Sequence, residues 1–268
     1  MPDNKRDKKR IDVLLVEKKI AKSRVDAKKM VMAGCVYLNN QKVDKASTVG
    51  YIDDAIEVKN FEKEFVSRGG YKLKKAIKDF EINLKDKTTA DIGASTGGFT
   101  DCMLQNGAIK VYAVDSGYNQ LDWKMRTDAR VVSLERCNAR FLDFETFGEK
   151  VDFVSIDVSF ISVKLIFPAL LNVMKKPADI VCLIKPQFEA GRDKVGKKGV
   201  VRDRKVHMDV VEAVIGYASQ SALNVLGVSY SPIKGPNGNI EYLLYLSNEK
   251  DEKPYDINAI VSDAWSNL

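Results

Sequence analysis

Four ionisable residues carry the chemistry this sequence offers: Lys72, Asp157, Lys185 and Glu241. Each falls where a helix or strand of a single α/β domain should begin or end. Lys72 follows Ser67-Arg68-Gly69-Gly70-Tyr71, and Asp157 closes a hydrophobic strand. Lys185 stands in Ile184-Lys185-Pro186, and Glu241 follows Gly238-Asn239-Ile240. Two cations and two carboxylates can take a proton from a hydroxyl and balance the charge that develops. Lys185 is the base candidate, on condition that its surroundings favour the neutral amine. Asp157 can orient it, Lys72 can hold the hydroxyl or a flanking phosphate, and Glu241 can position either lysine. This chemistry requires no metal.

The second feature is Asp91-Ile92-Gly93-Ala94-Ser95-Thr96-Gly97-Gly98-Phe99-Thr100, a glycine-rich turn between a strand and a helix. Glycine allows close backbone approach, and Ser95 or Thr96 can bond a polar ligand or cap the helix. The turn matches neither the phosphate-binding ATPase loop nor a full Gly-x-Gly-x-x-Gly fingerprint. Asp115 ends the next strand, where an acid can accept both hydroxyls of a ribose. Asp143, in Phe141-Leu142-Asp143-Phe144, follows the third strand by a loop and is expected to meet an adenine amino group. A structural turn, a solvated strand end and a loop cap are the competing roles. Asp91-x-Gly93-x-x-x-Gly97-Gly98-Phe99 resembles the first motif of ribose 2'-O methyltransferases. The expected cofactor is therefore S-adenosylmethionine, not NAD. Its expected site is Asp91, Gly93, Ser95, Thr96, Gly97, Gly98, Phe99, Asp115 and Asp143.

The elements that must hold these residues alternate. Strands are predicted at 88–92, 110–114, 130–133, 151–156 and 179–184, and helices at 71–80, 98–106, 119–126, 163–173 and 206–220. Such alternation implies a mostly parallel sheet covered on both faces. Strands at 223–230 and 241–246, around a turn at 232–238, read as a terminal antiparallel pair. The fold class is α/β: a Rossmann-like methyltransferase domain of 69–268, joined by a linker of 61–68 to a small module of 1–60. Phe61, Phe65 and Val66 are expected to pack against the larger domain.

In the small module, Ile11, Leu14 and Leu15 give one apolar helix side. Ser23 is a good N-cap for a second helix, with Asp26 at its N3 position and Gly34 ending it. Val25, Met30 and Met32 are expected to be buried, and strands are predicted at 36–38 and 55–58. Cations suited to a phosphate backbone gather around the helices, moderated by Asp12, Glu17 and Asp26. Arg10-Ile11-Asp12, then Ser23-Arg24 with Ala27, then Gly34-Cys35-Val36-Tyr37-Leu38-Asn39, resembles the S4-like RNA-binding domain. The resemblance implies that Arg10, Ser23, Arg24 and Lys28 lie on or near an RNA-facing surface. In the larger domain, Arg192, Lys197 and Lys198 lie in a basic, glycine-containing loop suited to flanking phosphates. Glu189, Asp203 and His207 are expected to shape that region, His207 with no special role.

The chain has 268 residues, 45% of them apolar, with a formal net charge of +6. That favours an anionic partner without choosing among RNA, DNA and a membrane surface. No run approaches the length of a membrane span, and no apolar signal core follows the charged start, so the expected location is the cytoplasm. The four cysteines are widely spread and form neither a metal cluster nor a disulfide framework.

Over nearly its whole length the chain resembles the TlyA family, often labelled hemolysin-like: rRNA cytidine-2'-O-methyltransferases with S4-like and FtsJ-like domains. The resemblance matches Lys72, Asp157, Lys185 and Glu241, in order, to that family's Lys-Asp-Lys-Glu tetrad. It implies ribosomal RNA as partner, with the large subunit expected foremost, and neither DNA nor a membrane. A monomer is expected, since each module can have its own core. The junction departs from mycobacterial members, because Lys63-Glu64-Phe65-Val66 lacks the arginine and tryptophan of their Arg-x-Trp-Val motif. The competing readings are a non-catalytic ribosome assembly protein, a nucleotide-dependent oxidoreductase and a pore-forming hemolysin.

Overall fold

The structure, a computed structural model, describes residues 8–59 and 64–268. The chain divides into two compact units, one ending at Glu64 and the other running from Phe65 to Leu268. Residues 61–63 of the expected linker, Phe61 among them, lie outside the described residues. Phe65 belongs to the second unit. It is buried in the core that holds Leu73, Ala76 and Phe99, and meets Tyr71 edge-on at 5.3 Å between ring centres.

The first unit runs β1 (Lys8–Arg10), α1 (Ile11–Glu17), α2 (Arg24–Met32), β2 (Val36–Leu38), β3 (Gln41–Lys42), β4 (Val49–Tyr51) and β5 (Ile56–Val58). β1 pairs antiparallel with β4, and β3-β2-β5 form a three-stranded sheet. Ile11, Leu14 and Leu15 share one face of α1 and are fully buried. Ser23 caps α2, its hydroxyl accepting from the Asp26 amide at 3.2 Å. Gly34 takes the left-handed position after the helix, at φ 68°. Its amide donates to the Val31 carbonyl, and that of Cys35 donates to Met30. Only Met30 of the three residues expected to be buried in α2 is buried. Val25 is 64% and Met32 85% exposed. The inward face of the helix is Ala27, Met30 and Val31, whose three-and-four spacing excludes both.

The second unit is a seven-stranded sheet in the order β11-β12-β10-β9-β6-β7-β8. Its strands are β6 (Thr88–Ile92), β7 (Lys110–Val114), β8 (Val131–Leu134), β9 (Val151–Ile156), β10 (Met174–Ile184), β11 (Asn224–Tyr230) and β12 (Tyr242–Ser247). The five strands from β10 to β8 are parallel, and β12 runs antiparallel to both neighbours. The helices are α3 (Gly70–Asp79), α4 (Gly98–Gln105), α5 (Trp123–Arg126), α6 (Phe144–Phe147), α7 (Phe167–Val173), α8 (Pro186–Glu189), α9 (Arg204–Gln220) and α10 (Ile257–Asn267). Alternate residues of one strand serve opposite cores. Ile180 and Cys182 pack with Phe167, Leu170 and Val214, whereas Val181 and Leu183 pack with Leu73 and Met103.

Several elements depart from the sequence expectation, and β1, β3, β4, α6 and α8 were not predicted. The 119–126 helix shrinks to α5, because Asn119 has a φ of 56° and Asp122 starts the helix by accepting from the Lys124 amide. The 163–173 helix splits into a 3-10 turn and α7, since Pro168 has no amide with which to continue a ladder. The terminal helix α10 had no counterpart in the reading. Among the described residues, no helix is long and apolar enough to cross a membrane, and no group of three metal-ligating side chains forms.

Candidate active site

The sheet brings Lys72, Asp157, Lys185 and Glu241 together. Lys72 lies in the first turn of α3, Asp157 directly after β9, Lys185 directly after β10, and Glu241 directly before β12. Lys72 Nζ lies 2.6 Å from Glu241 Oε2 and 3.9 Å from Asp157 Oδ2. Lys185 Nζ lies 2.6 Å from Asp157 Oδ1 and donates to Ser159 Oγ at 3.0 Å. Asp157 therefore stands between the two ammonium groups. Lys72, Lys185 and Glu241 are all buried, so each charge depends on its partner for compensation. Glu241 Oε1 is buried without a hydrogen bond among the described residues. A Cβ on Gly235 would meet that oxygen at 2.1 Å, so glycine is what lets the carboxylate sit there.

Beside Asp157 opens a cavity of about 360 Å³, within the range of small-molecule sites. Its walls include Gly93, Ser95, Asp115, Asn138, Asp157 and Phe160. Asp115 is fixed by two amides, Oδ2 accepting from Ser95 and Oδ1 from Gly117, each at 2.7 Å. Each oxygen keeps a further lone pair for a ligand hydroxyl. Gly93 has a φ of 85°, and a Cβ there would meet the Asp157 carbonyl oxygen at 2.6 Å. That close approach places the turn against the tetrad.

The rest of the turn shapes the site from behind. Gly97 starts α4 at a φ of 90° with Leu121 and Met125 against it. A Cβ on Gly98 would meet Ser67 Oγ at 2.2 Å and the Gly70 amide at 2.9 Å. Phe99 is buried in the core. Thr96 is exposed, and its carbonyl accepts from the Asp122 amide. Asp91 lies fully buried beneath the turn. It accepts from Thr100 Oγ1 at 2.7 Å and Ser155 Oγ at 3.0 Å, and burial pushes its carboxyl up to about 7. None of these five lines the cavity.

Asp143 is not brought to the cavity either. It caps α6 in a reciprocal box with Thr146, accepting that residue's amide at 3.0 Å while its own amide donates to Thr146 Oγ1. The Thr146 hydroxyl holds its carboxyl below the usual range. Asn138 takes the place on the wall. Sequence reasoning missed it, although it follows β8 closely and the Cys137 amide donates to the Asp115 carbonyl at 3.0 Å. Phe160 was missed as well. It is 91% exposed, has a φ of 64°, and meets Phe188 at 4.9 Å between ring centres.

Glu189 fastens this rim, accepting from Ser162 Oγ at 2.7 Å and the Val163 amide at 2.9 Å, and burial pushes its carboxyl up. The basic loop is exposed at Arg192, Lys197 and Lys198. Its base is tied to the segment before Glu241, because Asn239 donates to the Gly199 carbonyl at 2.8 Å and accepts from the Val201 amide at 3.2 Å. Asp203 caps α9. His207 lies in the first turn of α9 and is fully buried, with Nε2 facing the Val201 carbonyl at 3.1 Å and Nδ1 facing the Tyr242 hydroxyl at 2.9 Å. A carbonyl can only accept, so Nε2 carries the proton and Tyr242 donates to Nδ1. Burial lowers the imidazole's pKa, consistent with that neutral ring.

In the first unit, Ser23 and Lys28 are exposed on α2. Arg10 and Arg24 both bond Asp12, whose side chain is fully buried.

The FtsJ-like methyltransferase family matches residues 65–248, and the S4 domain matches residues 9–49. A 16S/23S rRNA (cytidine-2'-O)-methyltransferase, TlyA of Mycobacterium tuberculosis, is 43% identical over 243 residues, covering 90% of this chain and 91% of its own. Hemolysin A of Brachyspira hyodysenteriae is 42% identical over 238 residues, covering 88% and 98%. A solved structure from Streptococcus thermophilus, described as a hemolysin, superposes with a TM-score of 0.75 at 43% identity, covering 97% and 96%.

Proposed function

The chain belongs to the TlyA family of FtsJ-like methyltransferases, and from that premise we propose that it methylates the ribose 2'-hydroxyl of a cytidine in ribosomal RNA. The observation that carries the reading is Asp157. The residue lines the cofactor-sized cavity, and its carboxylate lies 2.6 Å from Lys185 Nζ and 3.9 Å from Lys72 Nζ. Proton transfer and cofactor binding therefore share one wall.

S-adenosylmethionine, when bound, supplies an electrophilic methyl group on a cationic sulfur. The cavity suits it: Asp115 offers free lone pairs for ribose hydroxyls, Asn138 offers an amide for a base edge, and Asp157 offers negative charge for a cation. Gly93, Ser95, Asp91 and the Gly97-Gly98-Phe99 turn keep that wall in place. On the substrate side, Lys72 and Lys185 hold the 2'-hydroxyl by hydrogen bonds that strengthen as its oxygen gains negative charge. Lys185 gives a proton to Asp157 Oδ1, 2.6 Å away, as its nitrogen takes the hydroxyl's. The proton thus ends on a carboxylate, and the net charge of the four groups rises by one as the oxygen is relieved of its proton. Glu241 holds Lys72 in position. Phe160 gives an unstacked base an exposed ring beside the tetrad.

Arg192, Lys197 and Lys198 suit flanking phosphates, and Arg10, Ser23, Arg24 and Lys28 suit phosphates of the RNA backbone. The large ribosomal subunit is the foremost substrate, the enzyme acts as a monomer, and its place is the cytoplasm, where that RNA is assembled. The test is incubation with methyl-labelled S-adenosylmethionine and each ribosomal subunit, intact and as protein-free RNA. Label is expected at a cytidine 2'-oxygen, making the neighbouring linkage resistant to alkali, and Lys185→Ala should abolish it. RNA and cofactor binding without incorporation on any of these substrates would replace catalysis with an assembly role.

A further inference from the structure

Asp12 is a fully buried carboxylate in the first turn of α1, covered by two arginine side chains. Arg10 reaches it from the end of β1, with Nε donating to Oδ1 at 2.9 Å and Nη2 to Oδ2 at 3.1 Å. Arg24, the first residue of α2, donates from Nη2 to the same Oδ2 at 3.0 Å. Two guanidinium groups are thus held side by side by one oxygen, although like charges repel. Both remain about half exposed, 45% and 56%. The cluster carries two positive charges and one negative. Its net single positive charge and its remaining N–H donors complement one phosphodiester anion.

We propose that Asp12 is a positioning residue that fixes Arg10 and Arg24 as one rigid fork for a single phosphodiester group of RNA. The proposal rests on the RNA-binding reading of the first unit and adds to it a site and a cause of its rigidity. An unheld arginine must lose side-chain freedom on binding, whereas these two lose it on folding. The carboxylate that lowers the local positive charge therefore raises affinity. Charge counting alone gives the opposite sign, since Asp12→Asn adds one net positive charge to an RNA-binding face.

The opposed signs make the test. Protein-free large-subunit rRNA is titrated with the full-length protein by filter binding across a salt series. Asp12→Asn is expected to weaken binding about ten-fold and to reduce the salt slope by about one. Unchanged or tighter binding by a natively folded Asp12→Asn overturns the proposal. Should that variant fail to fold, Arg10→Lys and Arg24→Lys decide, because both positions are exposed and keep their charge. A loss of about ten-fold supports the fork, and full affinity in both overturns it. In an Arg10→Ala/Arg24→Ala background, Asp12→Asn should change affinity by less than about two-fold; a further large loss there means that Asp12 acts on the fold instead. Wild-type protein with no salt-dependent RNA binding would sink the RNA reading of the unit together with the fork.

Discussion

Both units place two cations around a carboxylate, and they do it with different residues. In the first unit the cations are arginines, and their guanidinium groups are half open to solvent. In the second they are lysines, and their side chains are 7% and 10% exposed. The difference matches the two tasks. Arginine does not give up its proton in a protein and presents a planar fork, which suits recognition of an anion. Lysine is a compact charge that can exchange a proton with a hydroxyl. A cation made to hold is left at the surface, and one made to react is enclosed with its counter-charge.

Replacing Lys185 with arginine attacks the comparison most directly. Lys185→Arg keeps the charge beside Asp157 but removes the group that passes a proton. The expected result is a fall in kcat of about 10³-fold, with RNA affinity unchanged. Single-turnover kinetics at saturating RNA would show it. Near-normal turnover would mean that the second lysine only holds charge, and the two clusters would then differ in burial alone.

Stability separates the clusters next. Glu241→Gln leaves Lys72 buried, with Asp157 at 3.9 Å as its nearest remaining carboxylate. Breaking such a pair should cost about 3 kcal/mol of the second unit's stability, read from urea unfolding followed by tryptophan fluorescence. Asp12→Asn should cost clearly less in the first unit, because its arginines can turn to water. Equal costs would remove burial as the distinction.

The pH dependence of two aspartates gives a smaller but signed contrast. Asp12 is held down to about 2, chiefly by its hydrogen bonds with Arg10, against an ordinary value of 3.8. Its contribution is present above 3.8 and is lost as pH falls through about 2. Asp91 has only neutral hydrogen-bond partners, on Thr100 and Ser155, and burial lifts it from 3.8 to about 7. Its contribution is present below 3.8 and is lost as pH rises through about 7. Thermal melting of Asp91→Asn across that interval should show a flatter pH dependence than the parent. A parallel curve would show that Asp91 stays ionised in the fold, held by Thr100 and Ser155 alone.

The same physics decides what could be read from the sequence. Strands 110–114 and 151–156 were legible to the residue as largely apolar runs between turn signals, and 88–92 was legible because it feeds the glycine-rich turn. The tetrad was legible through the joint order of its motifs and the element ends on which they sit. β1 was not, since three charged residues pairing with Val49–Tyr51 carry no apolar pattern. Nor was α10, which buries only Val261 and Ala264 of its eleven residues. Phe160 and Asn138 were missed for a different reason. Their significance comes from facing the same cavity as Asp157 and Asp115, and sequence spacing does not encode that convergence.

Asp143 is the finest test, because motif position and geometry assign it different work. Its place after the third strand suggests an adenine partner, yet its amide and its Oδ1 are engaged with Thr146 at the start of α6. A carboxylate engaged as a cap holds a short helix, and its loss is felt in stability before binding. Asp143→Ala should lower the melting temperature by about 2 °C and leave the affinity for S-adenosylmethionine within about two-fold of the parent. Asn138→Ala, which changes a residue that both lines the cavity and caps the turn at 139–141, should weaken cofactor binding by about ten-fold with a change in melting no larger than that of Asp143→Ala. Calorimetric titration of both variants gives the contrast. A large loss of affinity in Asp143→Ala would mean that the loop leaves its cap to close on the cofactor. An unchanged Asn138→Ala would remove the wall residue from recognition.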